Sequence, residues 1–206
     1  MAVTGLAWTS FLLIHLAENS LLICSPQLYN QWAHFLMSLG YILYAMELGL
    51  VMLLGTHLFL AITLTLENKK ARSQKYAIRN KKGDNSFAAR TMIVTGMFIL
   101  FFLIWHIKEF KLGDHNMVTY DGVQMIDFHA LATQSFSQLW FMLSYVFVMI
   151  VVGLHLSHGV QSAFQSLGFN HPKYTPCIKK TSLAIGIILT VGFSAIAILS
   201  YLKGGV

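Results

Sequence analysis

An all-α integral membrane bundle of five transmembrane helices is the fold this sequence predicts, and three observations predict it. Apolar residues gather into five stretches, roughly 2–24, 39–66, 91–112, 139–167 and 181–202, and about 20 mostly apolar residues suffice to cross a bilayer. Only 11% of the 206 residues are charged against 56% hydrophobic, which lies outside the range of soluble domains. The basic residues fall in alternate connections, as expected of a chain that crosses a membrane repeatedly. Almost nothing remains for a separate soluble domain, so 1–206 reads as one unit. The first stretch lacks a basic flank and is too long for a cleaved signal peptide.

The first stretch is followed by a connection, Ser25 to Ser38, in which Trp32, His34 and Phe35 suggest an interfacial loop. The second stretch is long enough to tilt or to project from the bilayer. The connection from Glu67 to Arg90 is polar, with Gly83-Asp84-Asn85 as its turn signal. The third stretch is the shortest before its first charge, Lys108. The connection from Gly113 to Gln138 carries Asp114, Asp121, Asp127, His115 and His129, and its run Asp127 to Phe136 suits a short helix lying on the surface. The fourth stretch, like the second, exceeds the bilayer. Gly168 to Pro176 has two prolines and reads as an ordered turn before the fifth stretch. No low-complexity segment and no convincing internal repeat is legible.

Lys69, Lys70, Arg72, Lys75, Arg79, Lys81, Lys82 and Arg90 lie in one connection and Lys173, Lys179 and Lys180 in another, while only Lys108, Lys111 and Lys203 fall on the opposite side. The positive-inside rule then puts 67–90, 168–180 and the N-terminus in the cytoplasm and the C-terminus outside, in a multi-pass protein of the cell inner membrane. The charge serves topology alone, or it also docks a soluble partner on the basic face. Nucleic acid is no partner, since no aromatic ladder interleaves the basic run. Cys24 and Cys177 belong to opposite membrane faces, which excludes a disulfide between them.

Four of the five stretches carry a histidine at membrane depth: His15, His57, His106 and His155. Ionisable groups in a bilayer mark functional sites, and neutral imidazole is an axial ligand of haem iron. Counted along antiparallel helices at 1.5 Å per residue, His15 and His106 both sit roughly 20 Å from the inner end, and His57 and His155 roughly 14–18 Å. Two level-matched pairs can ligate two haems. Without a Cys-x-x-Cys-His pattern these are b-type, bound without covalent attachment. Ala61 and Gly159, one turn beyond His57 and His155, clear room for a flat macrocycle. The bland alternative for any one histidine is an interhelical hydrogen bond. His158 lies three residues after His155 on nearly the same face, and spacing does not choose between them. His34, His115, His129 and His171 read as solvated or interfacial, with His34 alone placed to line an outer site. The fifth stretch has no histidine.

Ile14-His15-Leu16-Ala17-Glu18-Asn19, the span from Glu47 to His57, Ala89-Arg90-Thr91 leading toward His106, and His155-Leu156-Ser157-His158-Gly159 together resemble the cytochrome b (membrane anchor) subunit of bacterial succinate dehydrogenase and fumarate reductase, in its single-chain, five-helix, di-haem form. The likeness continues through Gln161-Ser162-Ala163-Phe164 and Asn170-His171-Pro172-Lys173-Tyr174-Thr175-Pro176 and covers essentially the whole chain. It implies that His57 and His155 ligate an inner haem and His15 and His106 an outer one, with the family's His-x-x-x-Gly pattern selecting His155 over His158. It implies a flavoprotein and an iron–sulfur subunit as cytoplasmic partners, and electron exchange between succinate/fumarate and a membrane quinone. That quinone is menaquinone in most of this type. There are two departures. Met1 to Leu6 lacks the usual basic lead-in. Gly153 stands where some relatives carry a buried proton-conducting Glu, so no proton path is expected there.

A quinone needs a polar handle at the membrane edge and a proton-exchanging group beside it. Glu47, near the outer end of the second stretch, and Glu18, one turn beyond His15, are the candidates; the alternative is a hydrogen-bonded structural carboxyl. Arg90 suits the propionates of the inner haem, or is simply a positive-inside anchor. With no flavin fingerprint and no cysteine cluster, the chain alone should not oxidise succinate. The competing readings are the cytochrome b subunit of a formate dehydrogenase or hydrogenase, whose histidines are placed differently, and a haem-free transporter or scaffold, which predicts broken helices or inverted repeats.

Overall fold

The computed structural model describes residues 1–71 and 87–204, the side chains of 87–90 excepted. The described elements are α1 (Ala2–Cys24), α2 (Pro26–Ser38), α3 (Tyr41–Lys70), α4 (Phe87–Phe110), β1 (Met117–Tyr120), β2 (Val123–Ile126), α5 (Phe128–Phe136), α6 (Leu139–Ser166) and α7 (Thr175–Gly204). Five of them, α1, α3, α4, α6 and α7, are long and apolar enough to cross a membrane, the architecture of a multi-pass membrane protein. They alternate in direction. The ends near Cys24, Tyr41, Phe110, Leu139 and Gly204 lie together under a cap formed by α2, the β-hairpin and α5. Among the described residues no such cap covers the opposite end, the open end.

The cap is richer than the sequence reading. Residues 25–38, expected as a loop, form α2, because Ser25 caps the helix by accepting from the Leu28 amide and Pro26 occupies the first turn, where no amide is needed. Asp127 to Phe136 forms the expected short helix, with the Asp127 carboxylate accepting from the Ala130 amide. Asn30, fully buried, donates to Asp127 at 2.8 Å and accepts from the His129 amide at 2.9 Å, tying α2 to α5. The unforeseen element is the β1–β2 hairpin. Its turn is Asp121-Gly122, both at positive φ, the dipeptide that suits a two-residue hairpin turn. Asp121 then accepts from Gln27 at 2.9 Å and docks the turn on α2.

Helix ends also shift. α4 starts at Phe87 rather than 91, and α7 starts at Thr175 rather than 181, with Pro176 in its first turn, where proline is tolerated. The second proline of the 168–176 segment therefore begins a helix instead of forbidding one. The turn signal at 83–85, and Arg72, Lys75, Arg79, Lys81 and Lys82, lie outside the described residues. Cys24 and Cys177 are free and stand at opposite ends of the bundle, as expected.

α6 is the centre of the bundle. Its buried residues, among them Phe141, Tyr145, Val152, Leu156 and Val160, pack against α1, α4 and α7. Contact with α7 depends on small residues, as lipid-embedded helices require. A Cβ on Gly153 would stand 2.0 Å from Thr190 Oγ1 and 3.0 Å from the Gly186 carbonyl. Thr190 donates to the Met149 carbonyl and the fully buried Ser182 to the Ser157 carbonyl. No side chain fits at 153 unless Thr190 and the Gly186 backbone give way. Gly153→Ala should cost about 1–3 kcal/mol by overpacking, read as a lower aggregation temperature of the detergent-solubilised protein. α3, in contrast, packs on α1 and has no buried residue at all.

Candidate functional site

The four histidines form two groups at different heights. Nearer the capped end, His15 of α1 and His106 of α4 face each other with ring centroids 5.9 Å apart and planes at 88°. Each is backed by the phenylalanine one turn earlier on its own helix: Phe11 stacks on His15 and Phe102 on His106. Tyr145 of α6 places its hydroxyl 3.1 Å from His106 Nδ1. Asn19 donates to the His15 carbonyl at 2.8 Å and its amide lies 3.3 Å from the ring Nδ1. Tyr29, in the cap, donates to Asn19 Oδ1 at 3.3 Å; burial first, then the Glu18 charge, push its pKa up to about 12, so the phenol stays a donor.

Toward the open end, His57 of α3 and His155 of α6 each meet a threonine and a glycine from a neighbouring helix. Thr4 Oγ1 lies 3.1 Å from His57 Nδ1, and a Cβ on Gly5 would lie 3.5 Å from His57 Cε1. Thr95 Oγ1 lies 3.0 Å from His155 Nδ1, and a Cβ on Gly96 would lie 3.5 Å from His155 Cε1. His57 is within electrostatic range of His155. The Thr95–Gly96 contact falls on His155, not on His158.

The His15–His106 contact joins two histidines that the sequence reading paired, but the heights of the two levels differ from that reading. Thr4, level with His57, and Thr95, level with His155, each precede a capped-end histidine by eleven residues on the same helix. Eleven residues are about three turns and roughly 16 Å, with the side chains returning to the same face. The sequence estimate of only a few ångströms measured depth from helix ends, and those ends are not level. His57 stands 13 residues before the end of α3 yet beside the first turn of α1.

These contacts also expose a repeat, where the sequence reading found none convincing. α1 carries Thr4-Gly5, Phe11, His15 and Glu18; α4 carries Thr95-Gly96, Phe102, His106 and Glu109, at identical spacing. α3 carries Gly55-Thr56-His57-Leu58 and α6 carries Gly153-Leu154-His155-Leu156. The pair α1–α3 thus repeats as α4–α6, in the same orientation rather than inverted. The five positions shared by α1 and α4 are few and spread over fifteen residues, so they stand out only once their contacts are seen.

The candidate proton-handling groups separate. Glu18 lies 3.9 Å from His15 Nδ1. Glu47 forms an ion pair with Lys111 that ties the start of α3 to the end of α4. Glu109 was missed; it accepts from Ser135 at 3.0 Å and sits three residues after His106, as Glu18 does after His15. That shared spacing was the available signal. Trp32 and Phe35 line an open apolar cleft of about 260 Å³ with Leu21, Leu28 and Gln31, which neither Glu47 nor His34 lines. Arg90 lies in the first turn of α4, its side chain outside the described residues.

Among the described residues no three histidine, cysteine or acidic side chains converge, so no bare metal site is formed by side chains alone. A pair of histidines is what a macrocycle leaves for a protein to supply, because it fills the equatorial positions itself. His15 and His106 would be the residues to hold one such group, their ring centroids 5.9 Å apart. At the open end, His57 is carried by α3, a helix that packs on α1 and buries none of its residues. The donor chemistry, two imidazoles at each level, is what such a group would need. No family model, no curated protein and no solved structure matches the chain.

Proposed function

We propose that the protein is a di-haem b membrane-anchor subunit of a succinate:quinone oxidoreductase, passing electrons between a cytoplasmic iron–sulfur subunit and a membrane quinone. The observation that carries this reading is the grouping of four intramembrane histidines at two levels about 16 Å apart along the bundle, with His15 and His106 facing each other at the capped end. The assignment to succinate and fumarate chemistry, to a flavoprotein partner and to menaquinone rests on the resemblance of the sequence. Bound haem would supply one-electron carriers at two depths. The chain's part is to hold the axial imidazoles, to exclude water from them with Phe11, Phe102 and Tyr145, and to manage protons at the capped end.

In this reading the open end is cytoplasmic. Lys69, Lys70, Lys173, Lys179 and Lys180 lie there, whereas the cap carries Asp114, Asp121 and Asp127. The open-end pair, His57 and His155, then belongs to the inner haem, and His15 and His106 to the outer one. Quinone is handled near the outer pair, with Glu47 as the group that exchanges a proton with it and Glu18 as second candidate; Arg90 is assigned to the propionates of the inner haem.

The reading is tested by the optical spectrum of the purified chain and its haem content. Two b-type haems per chain are expected, and a chain purified from haem-replete cells without a b-type band ends it. The partner's place has its own test. Charge reversal at Lys69 and Lys70 is expected to weaken co-purification of the iron–sulfur subunit, most strongly at low salt, where screening lengths exceed about 10 Å. Co-purification that is unchanged at low salt leaves those lysines as a topology signal only.

A further inference from the structure

We propose that Thr4 and Thr95 are positioning residues that lock the two open-end histidines into one tautomer, with Nδ1 as hydrogen-bond donor and Nε2 left bare to face a metal. The proposal rests on the haem reading above and extends it to residues outside the histidine set.

The hydroxyl hydrogens decide the direction of the bonds. Thr4 Oγ1 donates to the Met1 carbonyl at 2.8 Å, and Thr95 Oγ1 donates to the carbonyls of Thr91 and Met92, both at 3.0 Å. A hydroxyl has one hydrogen and two lone pairs. With that hydrogen committed to the helix backbone, each threonine can only accept from the imidazole beside it. His57 Nδ1 at 3.1 Å and His155 Nδ1 at 3.0 Å are therefore the protonated nitrogens, and Nε2 of each ring keeps its lone pair. Both threonines are only 7% exposed, so water does not compete for the acceptor.

Two features make this a built arrangement rather than a chance contact. It occurs twice, on different helices, with the same Thr-Gly dipeptide. In both copies the glycine brings the helix backbone to the ring edge, with the position of a Cβ 3.5 Å from Cε1. The capped-end pair lacks the device. There a tyrosine hydroxyl approaches His106 and an own-helix amide approaches His15, so the two levels differ in what tunes them.

A ring whose Nδ1–H is held by an oxygen acceptor is a more basic ligand at Nε2, which favours the more highly charged metal. Thr4→Val and Thr95→Val keep the side-chain shape and remove the acceptor. In the haem-loaded protein each is expected to raise the midpoint potential of the inner haem by up to a tenfold change in oxidised-to-reduced preference, or about 59 mV for a one-electron couple. The wave belonging to the inner haem is identified as the one His57→Ala abolishes. The outer wave should stay in place. Thr4→Ser and Thr95→Ser, which keep the hydroxyl, should restore the wild-type value. If valine instead expels the inner haem while serine retains it, the hydroxyl is again shown to matter. An inner wave that valine does not move overturns the proposal, as does loss of haem in the serine and valine variants alike, which would mean packing alone. A wild-type chain without haem would instead remove the reading beneath it.

Discussion

His106→Ala is expected to reduce the haem content from two b-type haems per chain to one, leaving the inner haem's spectrum in place. His15→Ala should do the same. His57→Ala and His155→Ala should remove the other haem and spare the outer one. This selectivity follows from the two heights: each pair stands about three helical turns from the other, one pair on α1 and α4 and the other on α3 and α6. The effect is large because one axial imidazole is half of what the protein supplies to each macrocycle. The packing around His106 adds to it, since the ring is stacked by Phe102 and bonded by Tyr145, and no histidine follows it within one turn on α4. His155 is the informative exception, because His158 lies one turn away. Two intact haems in His155→Ala would transfer the ligand role to another residue. Loss of both haems in every variant would mean that the pairs assemble as one unit rather than as separate sites.

Glu47→Gln is expected to lower quinone-linked turnover on the order of 10²-fold, the usual size of a lost acid–base group, with both haem spectra unchanged. Glu47 stands ten residues before His57, about 15 Å nearer the capped end, which brings it to the height of the outer pair. The ion pair with Lys111 demands a second variant. Lys111→Met breaks the same contact but keeps the carboxylate. Turnover that falls in Glu47→Gln and persists in Lys111→Met assigns the proton to Glu47. An equal fall in both variants reduces the carboxylate to a strut between α3 and α4. Full turnover in Glu47→Gln moves the assignment to Glu18 or Glu109, the carboxylates that follow His15 and His106 by three residues.

Five helices long and apolar enough to span a membrane, their alternating direction and the placing of His15, His57, His106 and His155 within four of them were legible in the sequence, because each is a local matter. Transfer of a side chain to lipid is counted residue by residue, so an apolar run announces a span wherever it packs. A lone imidazole in such a run is costly for the same reason, and so it stands out. Two short signals were legible and passed over: Asp121-Gly122 as a hairpin turn, and Ser25-Pro26 as a helix start. What only the tertiary structure decided is relative height and partnership. The separation of the two histidine levels depends on how far α3 runs past the first turn of α1, and no single stretch records how its end stands against a neighbour's. The threonine contacts, the Glu47–Lys111 pair over 64 positions and the clash that forbids a side chain at 153 are likewise long-range. They arise when helices far apart in sequence come within a few ångströms, and only the packed bundle holds that information.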